Sequence, residues 1–197
     1  MYGSYTTPTL TELEAVNRML SVIGEAPVAQ IDSSISEAGE ARNLLRDTSR
    51  NVQSIGWHFN TETNFPLSPN EDGNLLLPSN TLRVDTDNNS RAIDVVQRGN
   101  RLYNRTTHSY TFDKTITVSM VLFLPFSELP EIAKQYITAL AGLRFQTEVM
   151  GSQVLHMFTQ QQAERLLVLL QEYDLDIGDY NMIDNNPSNY YYLIRGI

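Results

Sequence analysis

Apolar positions follow a helical spacing in the first quarter of the chain, switch to alternation in the middle, and return to helical spacing near residue 130. In "TELEAVNRMLSVIGEAPV", Leu13, Val16, Leu20 and Ile23 repeat by three and four and predict an amphipathic helix. Thr11 and Glu14 have capping-box spacing at its start, and Gly24 and Pro27 end it. A second helix is predicted from Glu37 to Ile55, with Ala38, Ala41, Leu45, Thr48, Val52 and Ile55 as a narrow seam. Arg42, Arg46 and Arg50 form an i, i+4, i+8 row on another face. Gly56 closes this helix.

Immediately after Gly56 the period becomes two. Trp57, Phe59, Thr61 and Thr63 alternate with His58, Asn60 and Glu62, which predicts a strand. Further strands are expected near Leu75–Leu77, Leu82–Asp85, Ile93–Gln97, Arg101–Asn104 and Ile116–Leu124. Turn clusters "SPNEDGN", "DTDNNS" and "RGN" separate them. The pattern is that of a small antiparallel sheet or barrel.

Helical spacing resumes after Pro130, which suits a first helical turn. Ile132, Tyr136, Leu140 and Leu143 make one row, widened by Ala133, Ile137 and Ala141. A fourth helix follows Gly151 and Ser152, carries Leu155, Phe158, Leu166, Leu169, Leu170 and Tyr173, and stops near Gly178. Residues 179–197 have no period. The expected fold is α+β: a four-helix bundle-like domain (1–56 and 127–178) interrupted by an inserted antiparallel β domain (57–126), with an extended C-terminal tail (179–197).

Composition narrows the function. The 197 residues include no cysteine, which excludes disulfides, thiolate catalysis and Cys-based zinc sites. No apolar run approaches the roughly 20 residues needed to span a bilayer, and "MYGSYTTPTL" lacks a secretory pattern. The net charge of −9 disfavours broad contact with nucleic acid. One segment differs: Arg83–Lys114 has six basic and four acidic residues, against eight and nineteen elsewhere, and Tyr103 and Tyr110 interleave with its arginines. It reads either as a solvated hairpin or as a docking lobe.

Catalytic signatures are missing. There is no P-loop, Gly-x-Ser-x-Gly, His-Glu-x-x-His or EF-hand loop. His58, His108 and His156 are scattered, and neither a metal site nor a cofactor is expected. Two carboxylates about 5–9 Å apart could hydrolyse a glycan, but spacing alone selects no pair. Two other groups are candidate partner-binding residues. Arg42, Arg46 and Arg50 could pair bidentately with acidic neighbours, or form a solvated face beside Glu40 and Asp47. In the tail, Tyr180, Asn181, Met182, Tyr190, Tyr191 and Tyr192 could anchor in a groove or fold back on their own domain.

The motifs "LEAVNRMLSVIGEAPV", "QSIGWHFN", "RGNRLYNRT", "ITV", "LPE" and "GDYNMID" occur in this order along the chain. Together they resemble the tail tubular protein A family, the tail adaptors of short-tailed, podovirus-type bacteriophages. Pro66–Arg91 and the residues after Asn185 depart from the family's pattern. The resemblance implies a structural virion protein assembled in the host cytoplasm. It implies a homo-oligomeric ring, a dodecamer, between the portal protein and the tail nozzle (tail tubular protein B), with the tail fibre a further neighbour. DNA would pass through the lumen without sequence-specific binding, and no membrane is involved. Glycan (polysaccharide) hydrolysis in the β region, alone or alongside the structural role, is the alternative function.

Overall fold

The computed structural model describes residues 9–31, 36–87, 90, 92–149 and 153–178. Its order is α1 (Glu12–Val22), α2 (Ser36–Gln53), five strands, α3 (Glu131–Val149) and α4 (Gln153–Ile177). The strands are β1 (Thr61–Leu67), β2 (Thr81–Thr86), β3 (Val95–Arg98), β4 (Arg101–Asn104) and β5 (Ile116–Leu122). The fold is therefore α+β, with the β region between two pairs of helices.

Local chemistry sets the ends of α1. Thr11 Oγ1 accepts the Glu14 N–H at 3.2 Å, and Glu14 Oε2 accepts the Thr11 N–H at 2.8 Å, which completes the capping box. At the other end Gly24 has φ +84°. Glu25 N–H bonds to the Leu20 carbonyl and Gly24 N–H to that of Ser21, a Schellman pair that satisfies two end carbonyls. The buried face comprises Ala15, Val16, Met19 and Leu20, while Leu13 is only half-buried.

In α2 the seam Ala38, Ala41, Leu45, Thr48 and Val52 is buried as expected. Ile55 is not: the helix stops at Gln53, so Ile55 leaves the helical period and is 54% exposed. Helix α3 packs extensively against each of the other three helices. Its fully buried row is Ala133, Ile137 and Ala141, with Phe145; of the expected row Tyr136 is buried as well, whereas Ile132, Leu140 and Leu143 are half-buried. A helix covered on three sides has small residues where neighbours approach most closely, so the flank read from the sequence is the true centre. Even Lys134 is buried, its Nζ donating to the Ser127 carbonyl at 3.2 Å.

The strand expected from Trp57 begins four residues later. Trp57 leads into a 3₁₀ turn, His58–Asn60, and packs in the helical core. Asn60, expected on the polar face, is buried because its amide is used three times. Its Oδ1 accepts the Trp57 N–H, and its Nδ2 donates to the Gln53 and Leu122 carbonyls. The period of two is overridden by this network.

Strand β5 is central in a three-stranded antiparallel sheet of order β1-β5-β2. Strands β3 and β4 form a separate antiparallel hairpin, with Arg98 opposite Arg101 and Val96 opposite Tyr103. Leu75–Leu77 is no strand; its neighbourhood makes only isolated bridges, Asn74 to Thr111 and Leu76 to Arg101. The β5 strand ends at Leu122, not Leu124, because Leu124 is taken by Gln53. Leu67, Leu75, Leu77, Val95, Leu102, Phe112, Ile116, Val118 and Met120 make a second apolar cluster distinct from the helical one.

Candidate assembly surfaces

Where the chain leaves the helices and returns, buried polar side chains cross-link the two regions. Gln53 Oε1 accepts the Leu124 N–H at 2.8 Å, and its Nε2 donates to the Leu124 carbonyl and to Ser49 Oγ, both at 3.0 Å. Trp57 Nε1 donates to the Val52 carbonyl at 2.8 Å. Gly56, with φ +84°, lies under β2 and β5; a Cβ there would stand 2.8 Å from both Arg83 Nη2 and Val121 Cγ2. That same Arg83 nitrogen donates to the Ile55 carbonyl at 3.3 Å, just past the end of α2, where a cation is favoured. From α4, Asp174 Oδ1 accepts the His58 N–H at 2.6 Å. Burial pushes the Asp174 carboxyl above its ordinary range, opposed by this hydrogen bond and by the nearby imidazole.

The predicted arginine row is present on α2, with each member exposed. Arg42 bridges Glu12 of α1 at 2.9 Å, and Arg50 stacks 4.8 Å from the Phe123 ring centroid. Arg46 has no partner among the described residues. The row thus touches both neighbouring parts of its own chain at its ends and is free at its middle.

On the β3–β4 hairpin and the turn that follows it, the interleaved tyrosines and arginines form a ladder. The rings of Tyr103 and Tyr110 meet edge to face at 4.9 Å. Arg98 lies 3.6 Å over Tyr103, and Arg101 lies 4.4 Å over Tyr110. Arg98 and Tyr103 are diagonal neighbours in the hairpin register, which explains their contact. Arg105 pairs with Asp94 at 3.3 Å.

Helix α4 shows a surface that periodicity did not reveal. Leu170 is buried and Leu166 and Tyr173 are half-buried, as expected, but Leu169, Val168, Leu175 and Ile177 are exposed. The Leu169 assignment is corrected: α4 packs chiefly on α3, so one stripe suffices for the core. The signal was the run "LLVLL", which is apolar around the whole helix and exceeds what one neighbour can cover. Tyr180, Asn181, Met182, Tyr190, Tyr191 and Tyr192, and the side chain of His156, lie outside the described residues.

A β-region cavity of about 260 Å³ is lined by Ser90, Ala92, Ile93, Lys114, Thr115 and Thr117, with no carboxylate. His58 and His108 are both exposed, and among the described residues no three His, Asp or Glu side chains converge as a metal site would require. No described helix is long and apolar enough to cross a membrane.

Residues 13–180 match the family described as tail tubular protein. The chain is also similar to tail tubular protein A of Klebsiella phage KP34, with 31% identity over 156 residues, covering 79% of this chain and 82% of that protein. By the match over residues 13–180 and the similarity to a phage protein over most of the chain, this chain belongs to the tail tubular protein family, a family of phage tail components.

Proposed function

We propose that the chain is a non-enzymatic adaptor: a ring of twelve copies that joins the portal protein to the tail nozzle and forms part of the DNA ejection conduit. The family match over residues 13–180 carries this reading. In it, the helical part (1–56 and 127–178) builds the ring. The β part (57–126) faces the nozzle, formed by tail tubular protein B, with the tail fibre a further neighbour. The tail (179–197) docks on the portal or on an adjacent copy. Assembly takes place in the host cytoplasm and the mature location is the virion tail.

Two physical features support the role. Hydrogen bonds of the buried Gln53 and Asn60 side chains tie the two parts at both chain crossings, which couples the β part to the helical one. Twelve copies at −9 each carry about −108 in charge, which disfavours retention of DNA phosphates in the lumen. Electron microscopy of the full chain mixed with the portal protein of its phage tests the reading. A twelve-fold ring seated on the portal is expected; a chain that remains monomeric beside the portal overturns it.

A further inference from the structure

Helices α2 and α4 each pack on α3 and not extensively on each other. Their outer faces therefore occupy different flanks of the subunit. The two faces are unlike in chemistry and alike in pitch. On α2, Arg42, Arg46 and Arg50 follow one i, i+4 row, and Arg46 lacks a partner among the described residues. On α4, Glu164, Val168, Glu172 and Asp176 follow another i, i+4 row, all exposed, with Leu175 exposed on the same side two turns beyond Val168. Among the described residues, Glu164 is engaged by Gln160 of its own helix, at 3.0 Å.

We infer that these rows are the two halves of one interface between copies, the α2 arginine row of one subunit packing on the α4 acidic and apolar row of the next. Rows of i±4 spacing interdigitate in the commonest class of helix packing. Arginine's planar fork suits the flanking carboxylates, and its alkyl stem can cover Val168 and Leu175. Each exposed ion pair contributes little by itself. Burial of the apolar centre supplies attraction, and the charges set register and choice of neighbour. Because the two faces differ, the contact is head-to-tail: it generates a ring if the rotation closes. A symmetric pairing of either face with itself is opposed by like charge. This inference rests on the ring reading above and names the surfaces that build it.

The cysteine-free chain allows a direct test. Arg46→Cys and Val168→Cys are introduced into separate full-length chains, which are mixed, assembled and mildly oxidised. A covalent dimer containing one of each is expected. A chain carrying both substitutions should give a ladder of multimers, and each single variant alone should give far less product. If rings form by electron microscopy yet positions 46 and 168 never cross-link, the inference is overturned and the ring reading stands. If the wild-type chain forms no ring with or without the portal, both fall. If position 168 instead cross-links within one chain to a cysteine at Tyr191→Cys, α4 is covered by the chain's own C-terminus and the inference is overturned.

Discussion

Gln53 holds Leu124 as a neighbouring strand would, its side-chain amide accepting the Leu124 N–H and donating to the Leu124 carbonyl. The two residues are 71 positions apart, at the last residue of α2 and just beyond β5. Asn17 clamps the backbone of Val28 in the same way, with bonds of 2.8 and 3.0 Å. At Gln53 the clamping side chain is fully buried while Leu124 is half-buried, so water has limited access to the bonds, and the clamp closes the base of the β region.

Gln53→Ala should therefore destabilise the chain by at least about 2 kcal/mol. It removes three hydrogen bonds and leaves the Leu124 groups short of a partner, each such group costing about 1–3 kcal/mol. Urea unfolding measures it; a loss below about 0.5 kcal/mol would mean that water replaces the amide.

Gly56 and Gly24 share φ +84° but differ in surroundings: a Cβ at Gly24 meets nothing within 4 Å, while at Gly56 it meets Arg83 and Val121. Gly24→Ala should cost only backbone strain, about 1–2 kcal/mol. Gly56→Ala should cost more, and Gly56→Val more again, together with loss of the Arg83 contact to Ile55. Equal costs at the two sites would show that the β region yields freely at the junction.

Arg46→Ser should change stability by less than about 0.5 kcal/mol, as expected for an exposed residue without a described partner. Changing Arg42 and Arg50 as well removes one exposed ion pair and one cation–π contact, for a total of no more than about 2 kcal/mol. Ring assembly on the portal should nevertheless be impaired by the triple change. Sedimentation at physiological salt separates the two effects, and intact assembly would leave the row a solvated face.

Acidification should act with opposite signs at two carboxylates. The Thr11 backbone N–H, then the Thr11 hydroxyl, hold Glu14 below its ordinary value. Its contribution is present above the unfolded glutamate pKa and is lost as pH falls through the folded value. Asp174 is raised by burial, so its contribution is present below the ordinary aspartate value and is lost as pH rises through the folded one. Asp174→Asn keeps an acceptor for the His58 N–H and should raise Tm at pH 7, with the gain vanishing in acid. Glu14→Gln should flatten the acid loss. Melting curves of both variants across pH 3–7 would expose a reversed sign.

Truncation after Asn185 should leave a folded protein that binds portal less well, if the tyrosine-rich terminus is a docking element. Hydrogen exchange on a verified monomer supplies the check. Strong protection of Tyr190–Ile194 would assign these residues to the fold itself.

The sequence alone determined what depends on neighbours within one or two turns. The Thr11–Glu14 box, the left-handed Gly24 and Gly56, the β4 strand and the helical period of α1 and α2 follow from hydrogen bonds and side-chain spacing that span a few residues. The ordered motifs also carried the family, because they sample the whole chain at once. Tertiary structure decided what depends on residues far apart. Trp57–Asn60 alternates like a strand, yet Gln53 and Leu122 draw Asn60 inward and bend the segment into a turn. On α3 the burial is centred one position along from the expected row, of which Tyr136 is buried and Ile132, Leu140 and Leu143 are not, because three helices cover it and a single helix's period cannot count its neighbours. The exposed row of α4, and Arg46 without a partner among the described residues, follow from α3 taking the other faces. Apolar spacing tells which residues can be buried; packing alone tells which ones the chain leaves for something else to cover.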